Sequence, residues 1–403
     1  MEKQKKINSD WFSHVVTILF VVYSIFRTYE LFGIRISELA DYVLILIYLC
    51  KYGITSKVLP HKLNVYFVFW IFSVLFSSVW TGWDGLRPLL GVFHTYLLYM
   101  LFFSKSDFNL LIKYYRIVGL ICISFLFLQE LSVNVTGIRF SGLIPGLNVV
   151  KEFGSADDFN QMLINSPRSS SFFSEPAIFV QFLLPLLAIE LFWAKDNKRN
   201  IRCTFIFLAL LLLQSGNAMF GIAAIFSIYL IKRLKESGSF KTIIATLVIL
   251  VVSFSGIAYY LSTEQGQSLL ARQDQLSMTD YESGQSGFIR IYRGYFVYDN
   301  LNFIEKIIGV NDFSTLHTRI KTSSVKLLFG QNETYFNAVQ DMLIKTGVIG
   351  ISIFILLIVD LWRNDNYCGR SLLLCLVCLC FISAIYLTNT MAMFLYLALK
   401  TNK

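Results

Sequence analysis

Charge is scarce in this chain. Asp, Glu, Lys and Arg together make up 15% of its 403 residues, whereas apolar residues make up 55%. A helix that crosses a bilayer needs about 20 predominantly apolar residues, and the sequence contains many runs of about that length. A soluble protein of this size would not carry so many of them, so the sequence predicts an integral membrane protein.

Motifs for metal- or nucleotide-dependent chemistry are also lacking. No His, Asp and Glu residues have metal-ligand spacing, and there is no Asp-x-Asp pair, P-loop or nucleophile elbow. Cys375-x-x-Cys378 lies inside an apolar run with no His or acid nearby, so we interpret it as structural. The sequence therefore predicts an activity that needs neither a metal nor a cofactor.

Apolar runs divide the chain into twelve predicted spans. They lie at about 13–29, 37–51, 63–82, 87–104, 112–131, 175–194, 201–215, 218–232, 241–261, 336–359, 370–388 and 390–400. No internal repeat or separate soluble domain is recognisable, and no cleavable signal is expected. The fold class predicted is an all-α polytopic membrane protein of about twelve transmembrane helices, with residues 1–403 forming one integral membrane domain.

Two long polar segments interrupt these spans. The first polar segment covers 132–175, the second covers 262–335, and both are rich in Arg and carboxylates. Neither contains any of the seven cysteines, so no disulfide framework is predicted. The second segment is expected to hold two amphipathic helices, near 267–277 and 287–304. A membrane enzyme that handles an anionic substrate at the outer face needs such segments.

Basic residues alternate between the two sides of the predicted spans. One side holds at least two in every link or terminus: Lys3, Lys5, Lys6; Lys51, Lys57, Lys62; Lys105, Lys113, Arg116; Lys195, Lys198, Arg199, Arg202; Lys232, Arg233, Lys235, Lys241; Arg363, Arg370; and Lys400, Lys403. The short links of the other side hold only Arg27, Arg35 and Arg87. This bias puts both termini in the cytoplasm and both polar segments outside. The net charge of +9 is thus a topology signal and does not indicate nucleic-acid binding.

The first candidate site element runs from Arg168 to Pro176, where the first polar segment meets the sixth span. Pro176 suits the first turn of a helix, because its missing N–H would be unpaired there anyway. Glu175 then lies beside the positive helix end. One interpretation is a helix cap with a surface Arg. The other is a site in which Arg168 grips a phosphate and Glu175 orients substrate or handles a proton.

The second candidate element is Arg290-Ile-Tyr-Arg293-Gly294 in the second polar segment. Two arginines at i and i+3 share a helix face and could hold a pyrophosphate through paired forks. The alternative is anchoring to lipid headgroups. Arg87, the only basic residue of its link, is a further and weaker candidate for a phosphate contact.

The third candidate element is Gly330-Gln331-Asn332-Glu333-Thr334-Tyr335-Phe336-Asn337, where the second polar segment re-enters the membrane, and it runs on to Gly347-Val-Ile-Gly350 in the tenth span. Glycines at 347 and 350 permit close helix packing. Asp341 and Lys345, at i and i+4, continue the polar stripe into the tenth span. Since ionisable residues in a membrane are costly, they predict either a functional role or a self-neutralising pair.

These features together resemble the Wzy-type O-antigen polymerases, which share a superfamily with the O-antigen ligases. The resemblance rests on the span number, the two long outer segments and Arg168-x6-Glu175-Pro176. It also rests on the Ser215-Gly216-Asn217 turn and on Asn332 followed by Gly347-x-x-Gly350. It covers nearly the whole chain in layout, with short, degenerate motifs.

The resemblance implies a metal-independent glycosyltransferase of the GT-C type in the bacterial inner membrane. Its donor and acceptor would be undecaprenyl-pyrophosphate-linked oligosaccharides on the periplasmic face, and a chain-length regulator of the Wzz type would be a partner. Arg168 and Arg290 match the positions that bind pyrophosphate in the family. Arg293 and Arg87 would assist, Asn332 and Tyr335 would orient substrate, and Glu333 and Glu175 are the catalytic candidates.

The choice of base follows from the pattern around Glu333. Ligases carry a His just before the Asn of the last motif, and here Gln331, which cannot act as a base, takes that place. The base is then open among Glu333, Glu175 and Asp312. A carboxylate near an apolar boundary is a better proton acceptor than one at a positive helix end. This favours Glu333 as base and Glu175 as an orienting group.

Two other functions remain open on the sequence. A ligase would perform the same chemistry with lipid A–core as acceptor, although Gln331 counts against it. A flippase for lipid-linked oligosaccharides would place its ionisable residues at mid-membrane between repeated halves, whereas here the halves are dissimilar. An O-antigen polymerase is not separable by sequence from a capsule or exopolysaccharide polymerase.

Overall fold

The computed structural model describes residues 10–53, 58–81, 83–237, 286–311, 316 and 336–401. For 77–81, 83–87, 237 and 286–291 it describes the backbone alone. Helices dominate these ranges. They are α1 (Trp11–Phe26), α2 (Ile36–Tyr52), α3 (His61–Thr81), α4 (Trp83–Lys105), α5 (Phe108–Thr136), α6 (Ala156–Asn165), α7 (Pro176–Phe192), α8 (Arg199–Leu212), α9 (Gly216–Ser237), α10 (Ser286–Asp299), α11 (Phe303–Ile308), α12 (Ala338–Asn364), α13 (Tyr367–Ile382) and α14 (Asn389–Thr401).

The predicted all-α character is confirmed. Each predicted span except the ninth coincides with one helix, and the ninth, at 241–261, lies outside the described residues. Three described helices, α5, α9 and α12, are long and apolar enough to cross a membrane, while α1, α7 and α13 are apolar but shorter. The number of membrane crossings therefore stays a prediction.

Large apolar side chains also cover much of the bundle's outside. Leu46, Val68 and Leu128 are each more than half exposed, on three different helices. Monomeric soluble proteins rarely expose large contiguous apolar patches. Helices satisfy their own backbone groups internally, which makes such a surface suited to lipid.

Helix α7 is the centre of the bundle. Every residue from Phe179 to Glu190 is buried, so the helix has no polar face. The carboxylate of Glu190 is fully buried and accepts hydrogen bonds from Arg116 of α5 at 2.5 Å and from Arg202 of α8 at 2.8 Å. Arg202 also binds Asp196 at 2.7 Å, and this hydrogen bond lowers the pKa of Asp196. The ion network ties α7 to α5 and α8 at one end of the bundle.

A small antiparallel sheet, which the sequence did not predict, lies at the other end. Its strands are β1 (Tyr29–Leu31), β2 (Ile34–Arg35) and β3 (Asn148–Val149), in the order β2-β1-β3. The β1–β2 hairpin turns at Phe32 and Gly33, both with positive φ, as a two-residue type I′ turn requires. The sheet therefore joins the α1–α2 link to the first polar segment.

The first polar segment continues from the sheet into helix α6. Ser155 and Asp158 form a capping box at its start, with the Asp158 N–H donating to Ser155 Oγ at 3.1 Å. Phe159 and Leu163 bury one face of the helix against Val149 and Phe153. The sequence analysis placed no helix here, because ten residues of mixed polarity carry a weak periodic signal.

The second polar segment docks on the bundle through α10 and α11. The helix predicted at 287–304 is two helices in the structure, because Asn302 caps a new helix by accepting from the N–H of Glu305 at 2.8 Å. The helix predicted at 267–277 lies outside the described residues. Helix α10 buries Arg293 and Val297, while Phe303 at the start of α11 is 78% exposed.

Two glycines allow α11 to reach the backbone of α12. Gly347 interrupts α12 with φ 62° and ψ −167°, and a Cβ there would collide with the Ile307 carbonyl. A Cβ on Gly309 would collide with the Lys345 carbonyl in the same way. Asn311 then donates to the Lys345 carbonyl at 2.8 Å and accepts from Trp70 of α3 at 2.9 Å. The close approach fixes the second segment on α3 and α12.

The predicted topology can be tested by cysteine labelling in a Cys-free background. Asp157 in α6 and Asn197 between α7 and α8 are both exposed and lie at opposite ends of the bundle. We expect Asp157→Cys to react with an impermeant maleimide on intact cells, and Asn197→Cys to react only after permeabilisation, because the charge bias puts them on opposite sides. The reverse pattern would refute the topology.

The close approach at Gly347 can be tested against a glycine of the same conformation. Gly53 has φ 67° and ψ −173°, but a Cβ there meets nothing within 4 Å. The backbone strain of an Ala in this region is on the order of 1–3 kcal/mol, so Gly53→Ala should cost about that much. Gly347→Ala should cost a further ~1–3 kcal/mol from overpacking. Thermal unfolding in detergent measures both, and equal losses would contradict the collision.

Candidate functional site

A cavity of about 450 Å³ lies at the end of the bundle that carries the sheet. It is where α1 and α13 end and where α2, α7 and α14 begin, and α4 supplies one wall. The first polar segment closes it from above with Glu152, Phe153, Ser174 and Glu175. The cavity therefore joins the polar segment to the interior of the helical bundle.

Charged side chains form the rim of the cavity. Arg35 is already committed, since it binds Glu38 at 3.1 Å and Glu152 at 2.6 Å. This trio ties β2, the start of α2 and the first polar segment together. Because one cation faces two carboxylates, the trio leaves a net negative charge at that part of the rim.

Two other rim residues remain available to a ligand. Arg27 is the C-cap of α1 and Glu175 is the N-cap of α7, and both are exposed. Neither forms an ion pair or a side-chain hydrogen bond with the described residues. Each has the charge opposite to that of its helix end, which the helix dipole favours. The rim thus offers one uncommitted guanidinium and one uncommitted carboxylate.

The cavity continues below the rim between the helices. Gln181 lies five residues into α7 beyond Pro176, which places it about 7.5 Å deeper at 1.5 Å per residue. His94 of α4 also lines the cavity, with its Nε2 buried and unbonded among the described residues, and its ring 4.9 Å from that of Tyr42. The lower part of the cavity carries no Lys, Arg, Asp or Glu among its lining residues.

Of the predicted site residues, Glu175 lines this cavity and Arg168 does not. The prediction that Pro176 opens a helix with Glu175 at its start is confirmed. Arg168 instead turns to the α8–α9 link, where its Nη1 donates to the Gln214 carbonyl at 3.1 Å. The structure therefore does not bring Arg168 and Glu175 into one cavity.

Of the other predicted arginines, the structure describes the side chain of Arg293 but not those of Arg290 and Arg87. Arg293 is 1% exposed within α10, next to Gly294, which packs on Gln340 of α12. Arg290 lies in α10 and Arg87 in α4, and only their backbone is described. The sequence left open whether Asp341 and Lys345 form an ion pair, and in the structure they do, at 2.8 Å.

Within the third candidate element, residues 330–335 lie outside the described residues, and these include Gln331, Asn332, Glu333 and Tyr335. The chain resumes at Phe336, and Asn337 donates to the Phe381 carbonyl at 2.9 Å. The next residue, Ala338, donates its N–H to the carbonyl of Ser383, which lines the cavity. The second segment thus returns to the bundle beside the cavity wall.

Sequence reasoning missed Arg27, Arg35, Glu38 and Glu152. Arg27 and Arg35 were used only to set the topology, although they stand with Arg87 as the few basic residues of the short outer links. Like Arg87, each is a basic residue in a link that otherwise carries almost none. Glu152 carried no signal, because only the unforeseen sheet brings it to Arg35.

Comparisons with protein-family models and with curated proteins found no match. Among the side chains that the structure describes, no three His, Cys, Asp or Glu residues come together as metal ligands would. The described site is therefore defined by its geometry: a cavity in an all-α bundle, with an uncommitted Arg and an uncommitted Glu at its mouth.

Proposed function

We propose that this protein is a metal-independent membrane glycosyltransferase that polymerises undecaprenyl-pyrophosphate-linked repeat units into O-antigen or a related surface polysaccharide. It resides in the bacterial inner membrane with both termini in the cytoplasm. The observation that carries the proposal is that Arg27 and Glu175, both available to a ligand, line the mouth of the same interhelical cavity.

The position of the cavity supports an outer-face reaction. The charge bias puts the ends of α1 and α13, and the starts of α2 and α7, on the periplasmic side. Those are the helix ends around the cavity. A lipid-linked substrate needs a site near the membrane surface, with a cation for its pyrophosphate and room for its sugars.

Pyrophosphate is a good leaving group, so the reaction needs little acid assistance. The acceptor hydroxyl oxygen attacks the anomeric carbon of the donor sugar, and the bond to the pyrophosphate oxygen breaks. The pyrophosphate leaves with the electron pair, and fixed guanidinium groups stabilise its charge. The exposed guanidinium of Arg27 at the cavity rim supports this role for Arg27, and Arg168 and Arg290 remain the positions implied by the resemblance.

The acceptor hydroxyl must lose a proton in the same step. We assign the orientation of that hydroxyl to Glu175, which lines the cavity. Glu333 stays our proposed base, and it precedes Asn337 by four residues, which span at most about 14 Å. Asn337 is followed by Ala338, whose N–H donates to the carbonyl of the cavity-lining Ser383, which supports a base from this part of the chain.

Deletion of the gene tests the function directly. We expect the mutant to keep a single repeat unit on lipid A–core and to lose long polymer, as seen by gel electrophoresis and mass spectrometry of the glycan. A ligase mutant would carry no repeat unit there and would accumulate lipid-linked polymer. A flippase mutant would accumulate single lipid-linked units facing the cytoplasm, and either of these results would replace our proposal.

Complementation of that deletion tests the two rim residues. Arg27→Gln should lower polymer formation on the order of 10²-fold, as for the loss of an oxyanion-hole donor. Glu175→Gln should lower it by about 10²-fold through misplacement of the acceptor. Arg27→Lys should recover part of the loss, because it keeps the charge but not the fork.

Two exposed residues away from the cavity serve as matched controls. Arg363 near the end of α12 and Asp157 in α6 are exposed, and Arg363→Gln and Asp157→Asn should leave polymer length unchanged. All variants are compared at equal amounts of membrane-inserted protein. Normal polymer from both Arg27→Gln and Glu175→Gln would remove the rim from the mechanism.

A further inference from the structure

The floor of the cavity has a chemistry different from that of its rim. Four uncharged polar residues meet there: Ser24 of α1, Gln181 of α7, and Asn389 and Thr390 of α14. The same four also line a second, much smaller cavity of about 10 Å³. That volume is close to the least that holds one water molecule, so the four residues bound a small polar recess between the helices.

One hydrogen bond orients the side-chain amide of Asn389, and its oxygen has no partner among the described residues. Its Nδ2 donates to the Phe20 carbonyl of α1 at 3.2 Å, which assigns the nitrogen and the oxygen. The Oδ1 is buried and has no hydrogen-bond partner among the described residues, although Asn389 is only 8% exposed. Buried acceptors are nearly always paired, so this oxygen is a place for a ligand's donor.

Gln181 supplies a second amide on the same floor. It is 8% exposed and lies in the wholly buried stretch of α7. Its side chain makes no hydrogen bond with the described residues. An amide offers two donors and an acceptor, so Gln181 and Asn389 together can bind groups that both donate and accept.

We infer that this floor is a subsite for a neutral sugar ring, and specifically for the donor sugar bonded to the pyrophosphate. Sugar hydroxyls both donate and accept, which matches two amides and two hydroxyls. An anion is a poor match, because the lining cations, Arg27 and Arg35, are both at the rim. The inference rests on the proposed function: with the pyrophosphate at Arg27, its attached sugar lies below.

Two probes separate the floor from the rim in the full-length protein in detergent. Methyl glycosides of the common neutral hexoses and N-acetylhexosamines test the floor by saturation-transfer NMR. Inorganic pyrophosphate tests the rim by calorimetry. Gln181→Leu and Asn389→Leu alter the floor, and Arg27→Gln alters the rim.

We expect at least one glycoside to bind the wild-type protein, and each Leu variant to bind it at least about tenfold more weakly, the effect of losing one good hydrogen bond. Arg27→Gln should keep glycoside binding and lose pyrophosphate binding, while the Leu variants should do the opposite. Asn389→Leu removes a hydrogen bond to α1 and could therefore misfold. Gln181→Leu removes no hydrogen bond to the described residues, so it tests the floor independently.

Three results would overturn the inference. They are no binding of any glycoside to the wild-type protein, unchanged binding to both Leu variants, or equal loss of glycoside binding in Arg27→Gln. The deletion phenotype is a separate readout. If deletion removes long polymer while the glycosides fail to bind, the sugar floor is wrong and the polymerase stands. If the glycosides bind at the floor and deletion leaves polymer intact, the polymerase is wrong.

Discussion

The buried carboxylate of Glu190 is the interaction on which the position of the cavity depends. Apart from Gln181 and Glu190, helix α7 is apolar on every face, so packing alone gives it little preference for one rotation or one axial register. Polar residues in apolar interfaces are known to fix register, and Glu190 does so here through Arg116 and Arg202. Removing one partner of a buried pair costs about 3–5 kcal/mol. A shift of α7 would move Glu175 and Gln181 together, since both are carried on the same rigid helix.

The cavity separates charge from neutral polarity along its depth. Arg27 and Glu175 are at helix ends, where the dipoles stabilise them and solvent reduces the cost of leaving them unpaired. Lower down, between helices, an unpaired charge would be far more costly than an unpaired amide. This accounts for the presence of Asn389 and Gln181 on the floor. The proposed substrate is arranged in the same way, with an anionic pyrophosphate followed by neutral sugars.

Much of the fold was predictable, because each apolar run carries its own periodic or length signal. The α1–α2 and α7 boundaries fell within a few residues of the predicted spans, and Pro176 marked the start of α7 by its chemistry alone. The sheet was not predictable, since strands of two and three residues have no measurable alternation. Arg27 was missed for a different reason, because only the packing of the helices brings the end of α1 and the start of α7 to the same cavity. Arg168 does not line the cavity that Glu175 lines, since proximity along the chain does not decide where a long side chain turns.

The second polar segment is fastened to the wall of the same cavity by contacts that run through α3. Asn311 binds Trp70 of α3, whose ring lies 5.5 Å from that of Tyr386. Tyr386 in turn bonds Tyr66 of α3 at 2.7 Å and belongs to the α13–α14 link, whose neighbouring residues Ile385 and Leu387 line the cavity. Gly309 and Gly347 let the backbones of α11 and α12 come into direct contact, which brings Asn311 within hydrogen-bonding distance of α3 and α12. Among the described residues, both polar segments therefore reach this cavity. Glu152, Phe153, Ser174 and Glu175 of the first segment line it, and Asn311 of the second segment is linked to its wall through Trp70 and Tyr386.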